Sequence, residues 1–277
     1  MIEQNPLKQY FRRPVLYFKL PSLGSGYETG VVDIPDNLEL PVYPMTAIDE
    51  MTIRTPDALF NGVAIVDLIR SCVPNIKDPW KLNSIDLDAT VIAIKAASND
   101  GIIGISTTCP ECTEVTDFDV NLLPLLANIQ NVDYSETLKI RELEIKFRPL
   151  TYKETNNNNM SQFQIQKTLV EVQNLVSEEE KQAILSTTLT KLSELVTFAI
   201  ASTIEFIDTP EVRVTDQAFI SDFLNNCDKE TNAAIKNRSL YLREKNEMEP
   251  IGVKCPKCQH EYKQKIIINA VDFFDIG

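Results

Sequence analysis

The sequence has only one histidine, His260. With a single imidazole placed just after the last of a cysteine pair, no Ser-His-Asp or Cys-His catalytic set can be assembled with support. Basic residues are also in deficit: 27 Lys and Arg stand against 40 Asp and Glu, a net charge of −13. Nucleic-acid binding rests on clustered cations, so no nucleic-acid partner is expected. The longest acidic run, Glu178-Glu179-Glu180, is short and reads as solvated surface. No apolar run is long enough to suggest a membrane span. Met1 to Arg13 lacks the apolar core of a secretory signal, so the chain is expected to be soluble and intracellular when made. Gly24 and Gly26 are followed by neither the rest of a dinucleotide fingerprint nor a phosphate-loop lysine, which sets nucleotide binding aside. Low complexity is confined to Asn156–Asn159.

What the chain does have is cysteine in an unusual arrangement. Four of its six cysteines form two C-P-x-C turns, Cys109-Pro110-Glu111-Cys112 and Cys255-Pro256-Lys257-Cys258. The remaining two stand alone. Cys72 sits in an apolar helical stretch and reads as a small core residue, and Cys227 ends a helix without a motif. Each C-P-x-C turn has a strand pattern before it (Ile103 to Thr107; Ile251 to Val253) and another after it. That is the plan of a zinc ribbon, two knuckles at hairpin tips facing one another. Proline after the first cysteine sets φ for the tight turn. Four thiolates suit one structural Zn²⁺ per chain, ligated by Cys109, Cys112, Cys255 and Cys258, and they saturate it. Iron in a rubredoxin-like site uses the same ligand set. A redox C-x-x-C wants its first cysteine at a helix N-terminus, and both pairs here lie between strands. A zinc deaminase needs H-x-E and P-C-x-x-C, which are missing. Knuckles often place glycine after the second cysteine. Here Thr113 and Gln259 stand there, so a left-handed residue would cost roughly 1–2 kcal/mol in each turn.

The remaining pattern predicts an α+β chain with small strands. Region 1–148 holds strands, three or four helices and the first knuckle; 149–247 is a helical insertion with an αα-hairpin; 248–277 holds the second knuckle and completes the ribbon. Thr46 with Asp49, Thr151 with Glu154 and Ser177 with Glu180 are capping-box spacings. Thr55-Pro56-Asp57 is read as a helix start, and residues 63–73 as a helix with Val63, Val66, Ile69 and Val73 on one face. Ser84 and Thr215 are read as caps of later helices, the first carrying a buried stripe of Ile85, Ala89, Ile92 and Ala96. Asn156–Asn159 is poor helix sequence and reads as a loosened turn. Leu185, Leu189, Leu192, Val196, Ala199 and Thr203 repeat at heptad spacing. This seam fits packing inside the hairpin, which its length favours, or docking on another chain. Thr209-Pro210 is read as the end of that helix. The acidic pairs Asp86/Asp88 and Asp117/Asp119 read as solvated faces. Ile266 to Ile268 is read as the strand leaving the second knuckle.

Several stretches together resemble a known family. Pro41-Val-Tyr-Pro-Met-Thr-Ala-Ile-Asp-Glu50, Arg54-Thr-Pro-Asp-Ala-Leu59 and Ile69-Arg-Ser-Cys-Val-Pro-Asn75 are similar to baseplate hub proteins of T-even-like contractile-tailed bacteriophages. So are both knuckles, Phe223-Leu-Asn-Asn-Cys-Asp228 and the closing Phe273-Phe274. The resemblance covers 14–125 and 209–277. It implies a non-enzymatic, zinc-stabilised structural or assembly protein of the tail baseplate hub. Such a protein works through contacts with other phage baseplate hub or tail proteins, in the host cytoplasm during assembly or in the virion tail. The alternative from another class is a zinc-ribbon regulatory module that binds nucleic acid or a polymerase. Lys254, Lys257, Lys263 and Lys265 around the second knuckle speak for it; Glu111, Glu114, Asp117 and Asp119 around the first speak against it. Oligomeric state and retention in the particle are open at this level.

Overall fold

The structure, a computed structural model, describes residues 6–55, 61–98, 101–129, 131–172, 177–246 and 248–265. The helix start read at Thr55-Pro56-Asp57 and the strand read at Ile266–Ile268 fall wholly or mainly outside them. The chain divides into two units, one of Met1–Asn131 with Met248–Gly277 and one of Val132–Glu247.

The first unit begins with β1 (Leu16–Phe18) and β2 (Leu40–Val42), an antiparallel pair with Leu16 opposite Val42. Helix α1 (Ala47–Ile53) starts on the Thr46–Asp49 capping box, made in both directions. Asp49 also meets the Arg12 guanidinium at 3.2 Å, and Arg12 donates to the carbonyl of Ser71. That places Arg12 beside Cys72, whose thiol burial pushes up to about 12. Helix α2 (Val63–Cys72) follows Gly62, which turns the chain at φ 79, a conformation that favours glycine. Its Val66 and Ile69 are buried as the pattern requires, with Val73 just beyond, whereas Val63 in the first turn is exposed. Helix α3 (Ser84–Ser98) is covered on nearly every side, including the stripe Ile85, Ala89, Ile92 and Ala96. Its cap lies one residue earlier than Ser84: the Asp86 backbone N–H donates to Asn83 Oδ1 at 2.8 Å. Strands β3 (Ile102–Thr108) and β4 (Val115–Asn121) form the hairpin that carries the first cysteine pair, and α4 (Leu122–Asn128) continues from it. Ile92, Ala96 and Leu122 make a core that Ile103, Leu125 and Leu126 extend.

Asp86 corrects the reading of solvated acidic faces. Its side chain is fully buried and accepts from the Ser22 backbone N–H (2.9 Å), the Ser22 hydroxyl, the Tyr27 hydroxyl (2.6 Å) and Asn83 Nδ2 (3.1 Å). One carboxylate thereby ties the turn-rich loop 21–30 to the start of α3. Asp88 differs. It is half-buried, and with no offsetting donor among the described residues desolvation raises its carboxyl to about 7. A carboxyl that is neutral when folded and ionised when unfolded adds stability below its unfolded pKa and loses it as pH rises towards 7. Asp88→Asn is therefore expected to raise Tm at pH 8 and to change it little at pH 4, as scanning calorimetry at the two values would show. Equal shifts at both would mean that the ionisation of Asp88 is not what matters.

The second unit is built on a four-stranded antiparallel sheet whose strands lie side by side in chain order. Strands β5 (Leu138–Ile140) and β6 (Leu143–Phe147) form the hairpin around Arg141, whose φ is 54. Helices α5 (Tyr152–Val172) and α6 (Glu178–Ser202) pack against one another. The sequence boundary at 148/149 falls inside this unit, because β6 pairs with a strand that follows the helices. That strand, β7 (Ile204–Asp208), was not expected; Thr209-Pro210 ends it and not the helix. The extended heptad pattern hid it, since Thr203 and the apolar residues after it continue the helical period. Asn156–Asn159 is not a loosened turn but regular helix inside α5, with Asn156 buried. The Thr151–Glu154 box and the packing of the hairpin outweigh a few tenths of a kcal/mol per asparagine. Strand β8 (Arg213–Val214) leads to α7 (Gln217–Asn226), capped by Asp216 and not by Thr215, and α8 (Lys229–Asn246). Phe147, Ile145, Ile204, Ile207, Ile220, Leu224 and Ile235 form the core.

The heptad residues of α6 do not face inward as a set. Thr188 is the covered position in its middle, while Leu185, Leu189 and Val196 are exposed. By length and composition Glu179–Ser202 is apolar enough to cross a membrane, and only 6% of its most apolar 18-residue stretch is buried. Lys191 and Glu194 sit in its middle, and a charge at a bilayer centre costs about 3 kcal/mol by insertion scales. Partnering with another apolar surface suits this composition better.

Strands β9 (Ile251–Lys254) and β10 (Glu261–Gln264) return the chain to the first unit as a second antiparallel hairpin, with Lys254 opposite Glu261.

Candidate metal centre

Each cysteine pair sits at the tip of its own hairpin, and the two tips repeat one hydrogen-bond pattern. In the first, Cys109 N–H donates to Glu114 O (2.9 Å) and Thr113 N–H donates to Cys109 O (2.9 Å). In the second, Cys255 N–H donates to His260 O (2.9 Å) and Gln259 N–H donates to Cys255 O (3.0 Å). Proline after the first cysteine sets the entry of each turn. The residue after the second cysteine closes it in the left-handed region, Thr113 at φ 57 and Gln259 at φ 60. Glycine would relieve that strain but costs entropy in the unfolded chain. Thr113→Gly and Gln259→Gly are each expected to stabilise by about 0.5–1 kcal/mol, measured as a rise in urea midpoint at constant m. A fall in midpoint would mean that the side chains hold the turns by contacts stronger than the strain.

The two tips bring all four sulfurs together, within 4.8 Å of one another. Cys109 Sγ lies 3.6 Å from Cys258 Sγ, and Cys112 Sγ lies 3.6 Å from Cys255 Sγ. These are no disulfides, which need ~2.05 Å. They match the ~3.8 Å sulfur separation that a tetrahedral ion with ~2.3 Å metal–sulfur bonds requires. Cys109 and Cys255 are buried, Cys112 is half-buried and Cys258 is exposed. His260 lies outside the cluster, exposed, with its ring stacked on Tyr262.

The electrostatics of the cluster favour a cation. Backbone N–H donation from Cys258, opposed by burial and aided by the N–H of Lys257, lowers Cys255 to about 7. The opposite holds for Cys258: the backbone at His260 lowers its pKa, but burial and the other three sulfurs outweigh that and push it up to about 12. One thiolate forms readily and the next ones resist. A metal ion removes that resistance, and the donor set of four sulfurs fits one. Whatever the ion, a tetrahedral set of four sulfurs leaves no position open for water or substrate.

Side chains join the tips as well. Lys257 Nζ reaches Glu114 Oε2 at 2.6 Å, and Thr107 Oγ1 donates to Gln264 Oε1 at 2.6 Å. Glu114 holds the Lys257 ammonium in its charged form, with smaller help from the sulfurs of Cys112 and Cys255. Lys254 is taken up by Glu261 at 3.4 Å. The cysteines were legible from their spacing. The Glu114–Lys257 and Thr107–Gln264 contacts were not; the only hint was that the two tips carry opposite charge.

A protein-family model described as T4 bacteriophage base plate protein matches residues 34–275. No curated protein and no solved structure matches the chain.

Proposed function

The chain belongs to the T4 bacteriophage base plate protein family, and from that premise we propose that it is a non-enzymatic component or assembly factor of the tail baseplate hub, acting through protein–protein contacts. The family match carries the baseplate role. The hub is our finer assignment, supported by the motifs at 41–50, 69–75 and 223–228 that resemble hub proteins. In this reading Cys109, Cys112, Cys255 and Cys258 hold one structural Zn²⁺ and the two hairpins are a zinc ribbon. Iron would use the same four ligands, and metal analysis distinguishes them. The ion ties residue 109 to residue 258, so the helical segment around 149–247, with the strands that flank it, is a closed excursion from the ribbon. That excursion presents the docking surfaces. The chain acts in the host cytoplasm during assembly and is either retained in the virion tail or released.

The test is the protein composition of purified particles and of assembly intermediates from infected cells. The chain, or cross-links from it to tail proteins, should be present in mature tails or in hub intermediates. Absence from both would remove the component and the assembly-factor versions together.

The nucleic-acid reading stands second. Of its four supporting lysines, Lys254 and Lys257 are neutralised, by Glu261 and by Glu114. Salt-dependent binding of DNA or RNA at physiological ionic strength would restore it.

A further inference from the structure

The α6 helix presents a surface that the fold of its own unit leaves uncovered, and its pattern is self-complementary. Between Gln182 and Thr197, half of the helix circumference carries no charged residue. At 100° per residue the sector holds Leu185, Leu189, Leu192 and Val196, flanked by Ala183, Ser186, Thr190, Ser193 and Thr197. Leu189 is 61% exposed, Val196 44% and Leu185 38%. Lys191 and Glu194 lie outside the sector. The small flanking residues let another helix approach closely, and the leucines supply the contact.

The spacing along the seam is 4-3-4, which reads the same in both directions about a point between Thr190 and Lys191. Leu185 and Val196 are equidistant from that point, as are Leu189 and Leu192. Such a seam meets itself when two copies lie antiparallel across a two-fold axis, the commonest symmetry of oligomers. Charge selects the antiparallel arrangement. A parallel pair would set two Glu178-Glu179-Glu180 runs side by side in a chain of net charge −13. The antiparallel pair sends those runs to opposite ends and opposes the helix dipoles. Two copies of so acidic a chain repel over most of their surfaces, and this uncharged sector is where they can meet. A lipid surface fits less well, because the acidic run is repelled by anionic headgroups and no cluster of cations flanks the apolar sector.

We propose that the chain forms a two-fold homodimer through antiparallel α6 helices, Leu189 packing on Leu192 of the second copy and Leu185 on Val196. The inference goes beyond the baseplate role and is tested apart from it. Sedimentation equilibrium of the full chain at about 50 µM, well above a micromolar Kd, should give a dimer. Leu185→Glu and Val196→Lys should each give a folded monomer, since both sites are exposed in the single chain; circular dichroism checks the fold. Combining Leu185→Glu with Val196→Lys should restore the dimer, because the antiparallel register sets the two changes opposite each other twice. A wild-type monomer overturns the proposal: co-flotation with anionic vesicles would then assign the seam to lipid, and no flotation would assign it to a different protein. Single variants that stay dimeric, or a double variant that stays monomeric, overturn it too. None of these outcomes touches the baseplate role, which is read from particles.

Discussion

Cys255→Ser should abolish metal binding and open the first unit while leaving the second folded. The wild-type chain should contain about one zinc per molecule by elemental analysis, and the variant only background. Cys255 is buried at the centre of the cluster, and the backbone amides of the turn already favour its thiolate. Serine offers neither a soft thiolate ligand nor the longer bond to sulfur. Metal affinity is coupled to folding, and a structural zinc contributes about 10–16 kcal/mol in isolated peptides. Here the loss is smaller, because Thr107–Gln264 and Glu114–Lys257 also join the hairpins. We expect about 3–5 kcal/mol, in the range of other lost metal or disulfide anchors. A two-stranded hairpin alone is marginal in water, so the damage should concentrate on 102–121 and 251–264. The unit of Val132–Glu247 has its own core and should keep its hydrogen-exchange protection. Cys109→Ser should behave like Cys255→Ser, and Cys227→Ser, outside the cluster, should keep its metal. Well-folded wild-type protein holding neither zinc nor iron would sink the metal assignment.

Asp86→Ala should be the most damaging single change away from the cysteines. The substitution leaves the Ser22 N–H, the Ser22 and Tyr27 hydroxyls and the Asn83 amide facing a void. An unsatisfied buried donor costs about 1–3 kcal/mol, and some of these can turn to one another or admit water. A net loss of about 4 kcal/mol follows, measurable by urea denaturation. Asp86→Asn keeps one acceptor oxygen but turns an amide towards hydroxyl partners, and should fall between alanine and wild type. Asp117→Ala supplies the comparison. Asp117 is exposed and, among the described residues, accepts from Ser106 alone at 2.5 Å, so its loss should stay within about 0.5 kcal/mol. Equal effects at 86 and 117 would show that the buried network contributes nothing.

Asp86 also shows why sequence reading failed where it did. Two aspartates at i and i+2 on a helix start look alike. Only the loop residues Ser22 and Tyr27, 64 and 59 positions away, decide that one is fully buried and bonded while the other is half-buried with no offsetting donor among the described residues. The missed strand β7 has the same cause. Ile204 to Asp208 becomes a strand because β6 lies ready to pair with it, and no local propensity announces that. The caps at Thr46, Thr151 and Ser177 were readable because a cap is a contact over three residues. Ser84 and Thr215 were each wrong by one residue, where a neighbouring Asn or Asp offered the better acceptor.

The sequence by itself determined the local chemistry of this protein. It placed two C-P-x-C turns between strands, residues without a glycine's freedom after each, a long helix with a heptad seam, and motifs that resemble baseplate proteins. These are properties of short spacings, which the chain carries whether or not it is folded. Only the tertiary structure decided what those pieces meet. It brought sulfurs more than 140 residues apart to 3.6 Å, matched Glu114 to Lys257, buried Asp86, and turned Leu185, Leu189 and Val196 outward. Long-range pairing depends on the whole chain closing on itself, and burial is a property of that closed surface, so neither is written in any one stretch.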